Sequence, residues 1–340
     1  MFNFKSNQYL FNPFESTQII NEDHDPDANF YNESVKLNAS YYDINTINSS
    51  LELFFRDAQS TKSTCFSAYH QNMQSINNKI DTLKDFLHQV NHRFSIICLT
   101  ESWMKNEICN SNSNLQIPGY SGLCFERKSG KSRGGICTYI REDISYKCRT
   151  DLSASDADFE NFFIELINPN GKNMIVCTTY RQPNGNLKNF MEEVTLCFTI
   201  LAKENKKVTI VGDFNVDCLK FDDDKNVEDF YNHYFNFGLI PIVNRPTRIT
   251  QNSCTAIDNT LINYITGMEF MSGILKTDIS DHFPIFVIMK DFSISNDKTK
   301  LIRKRIFSQE KVHLFTLELS RIKWDSVYKQ YDMNKSYNSN

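Results

Sequence analysis

The amino-acid sequence predicts an α/β protein in which helices cover mixed β-sheets. The continuous apolar run at residues 94–99 is typical of a strand that is buried on both faces, and residues 207–211 are predicted to form another buried strand. In residues 76–90 and 190–201, apolar side chains instead recur every three or four positions, which predicts amphipathic helices. The strand-like segments outnumber the helical ones and are interleaved with them, which favours one α/β domain over about residues 63–290.

The predicted elements follow one another in a β-α-β order at the start of this domain. A strand over residues 64–71 leads to a helix that begins near Ser75, a suitable N-cap residue, and extends to about Val90. The run at residues 94–99 supplies the next strand. Further strands are predicted at residues 134–140, 162–167, 173–180, 207–211, 256–262, 269–275 and 283–289. Further helices are predicted at residues 190–201 and 227–237.

Two segments of different composition flank the domain. Residues 1–60 are acidic, rich in Asn, Ser and Asp, and have no sustained hydrophobic period. This pattern predicts a mostly disordered segment with one short helix near residues 51–55. Residues 291–340 are a polar, basic linker followed by apolar residues at helical spacing between Val312 and Ile322.

The composition excludes several classes of protein. The chain has 340 residues, of which 40% are hydrophobic and 23% charged, as in an ordinary globular protein. No apolar run approaches the length of a transmembrane helix, no secretory signal is recognisable at the N-terminus, and the ten Cys residues include no C-x-x-C pair. We therefore expect an intracellular protein with reduced thiols and no membrane association. The net charge of −4 does not by itself indicate nucleic-acid binding, although a local groove can be positive.

Polar residues follow several predicted strands at the point where each strand ends. After the strand at 207–211, Gly212 is followed by Asp213 and Asn215, which alternate and can face one side together. A simple turn is the alternative, because Gly, Asp and Asn all favour turns. Glu101 follows the strand at 94–99 in the same manner. It either caps a following helix or is solvated, paired or bound to a cation, since an unpaired buried charge is unfavourable.

An Asp–His pair precedes the last predicted strand. Asp281 and His282 can supply a cation ligand and a base or proton donor, and a structural turn is the alternative. Asp258 lies within a strand-like run, where Asp is disfavoured, so it needs a partner, and a histidine ring is a suitable one. Asn72 and Tyr180 follow two further strands.

Taken together, these residue types favour a site that binds a hard divalent cation and hydrolyses a phosphate ester. Mg²⁺ prefers oxygen ligands from one or two carboxylates, with water and phosphate completing its shell. The G-x-S-x-G elbow of a serine hydrolase is absent, as are the glycine-rich loops of dinucleotide-binding proteins and P-loop NTPases.

In order and spacing, the motifs resemble the endonuclease/exonuclease/phosphatase superfamily, and within it the apurinic-type endonuclease domain of non-LTR (LINE-type) retrotransposons. The resemblance covers roughly residues 64–290. Its motifs are Gln71-Asn72-Met-Gln-Ser75, Leu99-Thr-Glu101-Ser-Trp103, Arg133-Gly-Gly135, Tyr180-Arg-Gln-Pro183, Gly212-Asp-Phe-Asn215, Arg245-Pro-Thr-Arg248, Thr255-Ala-Ile-Asp258 and Ser280-Asp-His282.

This resemblance implies a four-layer α/β sandwich of two packed mixed sheets, with the active site at one edge. It implies a cation, Mg²⁺ or Mn²⁺, held by the positions that Asn72, Glu101 and Asp281 occupy. The catalytic positions it implies are Tyr180, Asp213, Asn215, Asp258 and His282, and either Asp213 or His282 takes the proton of the attacking water.

The resemblance also implies DNA as the partner and therefore access to the nucleus, with no obligate protein partner. Arg181, Arg245 and Arg248 are candidates for contacts with DNA phosphates, and solvated surface turns are the alternative. Such elements carry a reverse transcriptase after the endonuclease, so residues 291–340 resemble a connector and the chain is expected to be a truncated product. The alternatives are another phosphoesterase of the superfamily, acting on abasic sites or lipids, and a DNA-binding remnant without catalysis.

Overall fold

The computed structural model describes residues 39–56, 65–104, 113–125, 134–168, 171–264, 269–290 and 309–321. Two large mixed β-sheets form the centre of the fold. In spatial order, the first sheet consists of β1 (Ser40–Tyr42), β15 (Phe270–Leu275), β16 (Ile285–Met289), β2 (Phe66–Asn72), β3 (Ile96–Thr100), β5 (Ile136–Arg141) and β4 (Tyr120–Phe125). The second consists of β11 (Ile240–Pro241), β14 (Asp258–Ile262), β10 (Lys207–Asp213), β9 (Met174–Arg181), β8 (Phe159–Leu166) and β6 (Tyr146–Cys148), with β7 (Ala154–Ser155) paired to β8. A separate short ribbon is formed by β12 (Arg248–Ile249) and β13 (Cys254–Thr255).

Helices cover the outer face of each sheet. Helices α1 (Ile44–Arg56) and α2 (Ile80–Gln89) bury an apolar stripe against the first sheet, where Leu83 packs in one cluster with Tyr69 of β2. Helices α3 (Leu187–Glu204) and α4 (Lys225–Phe235) do the same on the second sheet. The order of layers is helix, sheet, sheet, helix, which confirms the four-layer α/β sandwich. None of the described helices is long and apolar enough to cross a membrane.

The alternation of side chains along the strands decides what lies between the two sheets. Ala68 of β2, Val176 of β9, Val211 of β10 and Ile262 of β14 all point inward and pack in one cluster. Their neighbours in sequence point outward to the helices, because successive side chains of a strand lie on opposite faces. The inner faces of the two sheets therefore form an apolar core. Residues at every second position after these inward side chains also point inward.

The N-terminal part of the described chain contains the helix predicted near residues 51–55, in a longer form, and a strand that was not predicted. Residues 40–42 form β1, which pairs in parallel with β15, and residues 44–56 form α1, with Ile47 and Leu51 buried. The expectation for residues 1–60 was a mostly disordered segment, and residues 1–38 of it lie outside the described residues. The pairing partner of β1 lies far along the chain, so no local pattern in the sequence marks this strand.

The C-terminal segment forms a second unit, residues 298–340, in which helix α5 (Gln309–Arg321) is described. The helix confirms the helical spacing seen in the sequence, and Leu314 and Phe315 on it are 60% and 64% exposed. The basic linker predicted before it lies outside the described residues, so the division of the chain into three segments stays a prediction.

A buried ion-pair cluster ties the second sheet to helix α3. Arg149, whose side chain is 6% exposed, donates hydrogen bonds to both carboxylate oxygens of Glu204 at 2.6 and 3.0 Å and to Glu165 at 3.2 Å. Lys206 contacts the same two glutamates, at 2.6 Å each. Because removing one member of a buried ion pair leaves its partner desolvated, this cluster stabilises the junction.

We expect Arg149→Met to lower the free energy of unfolding by about 2–3 kcal/mol, below the usual cost of breaking a buried pair because Lys206 remains in place. Urea denaturation measures this change. The matched control is Lys147→Met, since Lys147 is 61% exposed and lies 3.5 Å from Glu165, so its loss costs less than about 1 kcal/mol. Equal losses in the two variants would contradict the assignment of this cluster as a buried stabilising network.

Candidate active site

The site lies at one end of the core between the sheets, where the inward side chains change from apolar to polar. On β2, Ala68 is followed two residues apart by His70 and Asn72, and on β9 Val176 is followed by Thr178 and Tyr180. On β10, Val211 is followed by Asp213 in the same alternation. Since these three strands end at the same edge, the alternation that builds the core also brings their polar side chains together.

Antiparallel strands place two further residues at the same edge. Strand β14 is antiparallel to β10, and Asp258 at its beginning is the register partner of Asp213 at the end of β10. Strand β16 is antiparallel to β2, so His282, just before β16, also reaches this edge. The sheets therefore bring five of the predicted residues to one edge, each from a different strand or its end: Asn72, Tyr180, Asp213, Asp258 and His282.

Asn72 connects the two sheets within the site. Its side-chain amide donates hydrogen bonds to Glu101 Oε1 at 2.9 Å and to Asp213 Oδ2 at 2.8 Å, and its Oδ1 accepts from the Gln74 backbone at 3.2 Å. Asn72 and Asp213 are both buried. The amide thus holds the carboxylates of two different sheets next to each other.

Glu101 is presented by a strained loop rather than by a helix cap. Its φ of 47° and the φ of 56° at Trp103 lie in the left-handed region, which is uncommon for residues other than glycine. The loop is held because the backbone N–H groups of Ser102 and Trp103 donate to the carbonyls of Gly135 and Gly134, at 2.9 and 2.8 Å. The glycine pair of the Arg133-Gly-Gly135 motif therefore supports this loop, while Arg133 itself lies outside the described residues.

The centre of the site is a buried triad of ionisable groups formed by Asp213, Asp258 and His282. One ligand atom from each lies within 4.8 Å of the others, and all three residues are buried. His282 Nδ1 lies 2.8 Å from Asp258 Oδ2. Because the carboxylate can only accept, the imidazole donates from Nδ1, and its Nε2 is the ring nitrogen left to act in the site.

Burial and charge shift the pKa values of this triad in opposite directions. Burial, together with the negative charge of Asp258, raises the pKa of Asp213 to about 7. Burial alone would also raise the pKa of Asp258, but the neighbouring His282 and the hydrogen bonds from His282 and His70 lower it well below its usual range. For His282 burial acts to lower the pKa, and the Asp258 carboxylate outweighs it and raises the pKa to about 9. The two aspartates therefore differ: Asp258 stays ionised, whereas Asp213 has a pKa near neutral pH.

Tyr180 lies against the acidic side of the site. Its hydroxyl is hydrogen-bonded to Glu101, and burial followed by the charges of Glu101 and Asp213 raises its pKa well above the usual range. The hydroxyl therefore stays protonated and can donate a hydrogen bond.

Arg181 and Asn215 form a clamp on the loop that follows β10. The buried guanidinium of Arg181 donates to the carbonyls of Phe214, Gly185 and Asn215 at 2.7, 2.9 and 2.7 Å. In return the side-chain amide of Asn215 donates to the Arg181 carbonyl at 2.7 Å, and its backbone N–H donates to Asp213 at 3.0 Å. The structure thus gives Arg181 backbone acceptors, whereas its contact with DNA phosphate stays a prediction.

The other two candidate arginines lie near the surface. Arg248 binds Asp281 through Nε at 2.9 Å and Nη2 at 2.8 Å, with side-chain exposures of 38% and 35%. The Asp281 carboxylate, predicted as a cation ligand, is therefore paired with a cation of the chain. Arg245 is exposed. Contacts of these arginines with DNA and of Asp281 with a metal stay predictions.

Two residues of the site were missed by the sequence analysis. His70 is fully buried, and its Nε2 lies 3.2 Å from Asp258 Oδ1. Thr247 donates its hydroxyl to Asp258 Oδ2 at 2.6 Å and accepts from the Asp258 backbone at 3.2 Å. Both had a signal in the sequence: His70 precedes Asn72 by two residues, and Thr247 lies within Arg245-Pro-Thr-Arg248.

The donor set fits a hard divalent cation. Glu101, Asp213 and Asp258 supply carboxylate oxygens, and no Cys belongs to the triad. The Asn72 amide has a further oxygen, Oδ1, which in this arrangement accepts from the Gln74 backbone. Burial and, after it, the charge of Asp258 raise the pKa of Asp213, and a nearby divalent cation would offset both effects.

A family model and several solved structures are similar to this chain. Residues 174–286 match the family model described as endonuclease-reverse transcriptase. Comparison with curated proteins gives no match. The fold is similar to that of the AP endonuclease LMAP from Leishmania major, with 14% identity, a TM-score of 0.57, and coverage of 68% of this chain and 90% of that one.

Two further solved structures are similar. The 3′ phosphatase NExo from Neisseria, bound to a product DNA hairpin, has 13% identity and a TM-score of 0.50, over 65% of this chain and 98% of that one. The endonuclease domain of TRAS1, a telomere-specific non-LTR retrotransposon, has 12% identity and a TM-score of 0.49, over 66% and 98%. The resemblance indicated by the sequence is therefore confirmed: the chain has the fold of the endonuclease/exonuclease/phosphatase superfamily, and its residues 174–286 match the endonuclease-reverse transcriptase family.

Proposed function

We propose that the chain is a divalent-cation-dependent phosphodiesterase that nicks DNA, as the endonuclease of a non-LTR retroelement. The observation that carries this proposal is the buried triad of Asp213, Asp258 and His282 at the edge where Asn72 joins Glu101 to Asp213. Burial of several ionisable groups lowers the stability of the fold, and clusters of groups with shifted pKa values are typical of active sites.

Glu101 would hold the cation together with Asn72, whose amide would turn to present its Oδ1, and Asp281 would join them if its pairing with Arg248 is exchanged. The bound cation would neutralise charge that develops on the phosphate oxygens. Mg²⁺ and Mn²⁺ both suit oxygen ligands of this type. The protonated hydroxyl of Tyr180 would donate a hydrogen bond to a phosphate oxygen on the same side.

The pKa values favour different roles for Asp213 and His282. With a pKa of about 7, Asp213 can accept the proton of an attacking water near neutral pH. With a pKa of about 9, His282 is protonated at that pH and suits donation of a hydrogen bond to the phosphate or to the leaving oxygen. Asp258 holds the imidazole through Nδ1, so that Nε2 is the nitrogen that faces the substrate.

DNA is proposed as the substrate because residues 174–286 match the endonuclease-reverse transcriptase family. The fold also occurs in an AP endonuclease and in a 3′ phosphatase bound to a DNA hairpin. Nicking of chromosomal DNA would require that the protein enter the nucleus. An abasic-site oligonucleotide and lipid phosphodiesters are the competing substrates, and the assay below separates them.

The test is nicking of supercoiled plasmid with Mg²⁺ or Mn²⁺, compared with incision of an abasic-site duplex and hydrolysis of sphingomyelin and phosphoinositide vesicles. We expect the plasmid to be nicked, and we expect Glu101→Gln and His282→Ala each to lower the rate by about 10²-fold or more, because each removes a group that stabilises developing charge.

Glu142→Gln is the matched control for Glu101→Gln. Glu142 is an exposed glutamate directly after β5, at the end of that strand away from Gly135 and the site. Its replacement should leave the rate unchanged. Hydrolysis of lipid without nicking would transfer the proposal to a lipid phosphoesterase. Nicking that survives both site substitutions, or no hydrolysis of any substrate at micromolar protein, would overturn the assignment of this site.

A further inference from the structure

We propose that His70 is a positioning residue for the reaction: it holds the Asp258 carboxylate in the orientation that lets Asp258 receive Nδ1–H of His282. This inference rests on the proposed function of the site. His70 does not touch the place where substrate would bind, so its effect passes through Asp258.

Both carboxylate oxygens of Asp258 have polar contacts. Its Oδ2 accepts hydrogen bonds from His282 at 2.8 Å and from Thr247 at 2.6 Å, and its Oδ1 lies 3.2 Å from His70 Nε2. A carboxylate attached to a strand can still rotate about its own side-chain bonds. Contacts on both oxygens, from opposite sides, fix the plane of the carboxylate and with it the direction of the His282 ring.

The His70 ring is enclosed by the core and lies between two oxygen atoms. Its Nδ1 lies 3.1 Å from the backbone carbonyl of Cys98, so both ring nitrogens face oxygen acceptors. Cys98 is the register partner of His70 on the neighbouring parallel strand β3, and the two residues are fully buried. The buried ring thus lies between the Cys98 carbonyl of the first sheet and Asp258 of the second, and the tautomer with its proton on Nε2 donates a hydrogen bond to Asp258.

A role in core packing alone does not explain a histidine at this position of β2. An apolar side chain would satisfy the core between the sheets, as Ala68 does two residues earlier on the same face of β2. A buried imidazole lowers stability unless its polar atoms are paired, and here the pairing runs to a residue that also binds His282. The chain therefore uses this inward position of β2 for orientation of the site.

The experiment compares His70→Leu with His70→Gln in the plasmid-nicking assay. Leucine removes both polar contacts, whereas the glutamine amide keeps one N–H donor for Asp258. We expect His70→Leu to lower kcat about 10-fold or more with KM for DNA unchanged, and His70→Gln to recover most of the loss. In an Asp258→Asn background, we expect His70→Leu to cause no further decrease, because its effect requires the carboxylate.

His92→Leu is the matched control. His92 is also a buried histidine, bonded to Ser67 at the opposite end of β2, and its loss should leave kcat unchanged when the protein is folded. Thermal denaturation of every variant identifies the temperature at which all of them are folded. An unchanged kcat in His70→Leu, failure of His70→Gln to recover activity, or an equal loss in the Asp258→Asn background would overturn the proposal.

A readout independent of activity separates this inference from the proposed function. In protein with ¹⁵N-labelled histidine, the Nδ1–H of His282 is expected as a downfield imidazole resonance, identified by its absence from His282→Ala. We expect this resonance to shift in His70→Leu, to return toward its original position in His70→Gln, and to stay in place in His92→Leu. If it behaves so while the wild-type chain cleaves no phosphodiester, the coupling stands and the nuclease assignment fails. If DNA is nicked and the resonance is unmoved by His70→Leu, the nuclease assignment stands and the positioning role fails.

Discussion

Replacing Asp213 by asparagine is expected to lower the rate of DNA nicking at least about 10³-fold while making the metal-free protein more stable. The loss of rate follows because the amide cannot accept a proton from the attacking water. The gain in stability follows because Asp213 is a buried carboxylate beside the register partner Asp258, and repulsion and burial raise its pKa to about 7.

The gain in stability should depend on pH in a direction set by this pKa. The carboxyl has an ordinary pKa of 3.8 when unfolded and about 7 when folded, so the folded state binds its proton more tightly. Asp213 therefore costs no stability below pH 4, and the cost grows as the pH rises from about 4 to 7 and is constant above. We expect Asp213→Asn to gain on the order of 2 kcal/mol at pH 8 and much less at pH 5.

Thermal or urea denaturation in EDTA at pH 5 and pH 8 measures this difference. Asp222→Asn is the matched control, since Asp222 is an exposed aspartate on the segment after β10 and its loss changes the net charge equally. Added Mg²⁺ should stabilise the wild type more than Asp213→Asn. A variant that is less stable than the wild type at pH 8 would show that Asp213 is satisfied in the fold, and a variant that nicks DNA normally would remove it from the mechanism.

The strands that carry this site could be predicted because the sequence itself marks them. Strands β3 and β10 are apolar runs that end in Glu101 and in Asp213, and burial on both faces demands such runs. The edge strands β1, β6 and β11 are two or three residues long and have no such pattern. They are defined by pairing with other strands, and the partner of β1 is β15, near the other end of the domain.

Within the site, the types of residue could be predicted better than their partners. The pairing of Asp258 with a histidine was expected from the need of a buried carboxylate for a partner, and the structure supplies His282. The second histidine, His70, was missed because it lies within β2, two residues before Asn72, whereas most of the predicted site residues follow the ends of strands. Arg181 illustrates the converse, since its charge does not reveal that it binds backbone carbonyls within the fold.

Gly212 is the position where a single methyl group is expected to disrupt the site most directly. A Cβ built at Gly212 lies 1.9 Å from the carbonyl oxygen of Thr179 and 2.8 Å from its carbonyl carbon. Thr179 is its register partner on the adjacent parallel strand β9, so the obstacle is backbone and cannot rotate away. We expect Gly212→Ala to lower the free energy of unfolding by about 3 kcal/mol or more, at the upper end of overpacking effects, and urea denaturation measures this loss.

Gly171→Ala is the control, because the atom nearest to its added Cβ is the side-chain nitrogen of Asn168, at 3.0 Å, which can move aside. Its free energy of unfolding should change by less than about 1 kcal/mol. A Gly212→Ala variant as stable as this control would mean that β9 and β10 can separate locally without cost. Because Tyr180 and Asp213 are the next residues on these two strands and are register partners, the folded fraction of Gly212→Ala should also nick DNA more slowly than the wild type. The glycine before Asp213 is therefore required by the close approach of the two strands that place the tyrosine and the aspartate side by side.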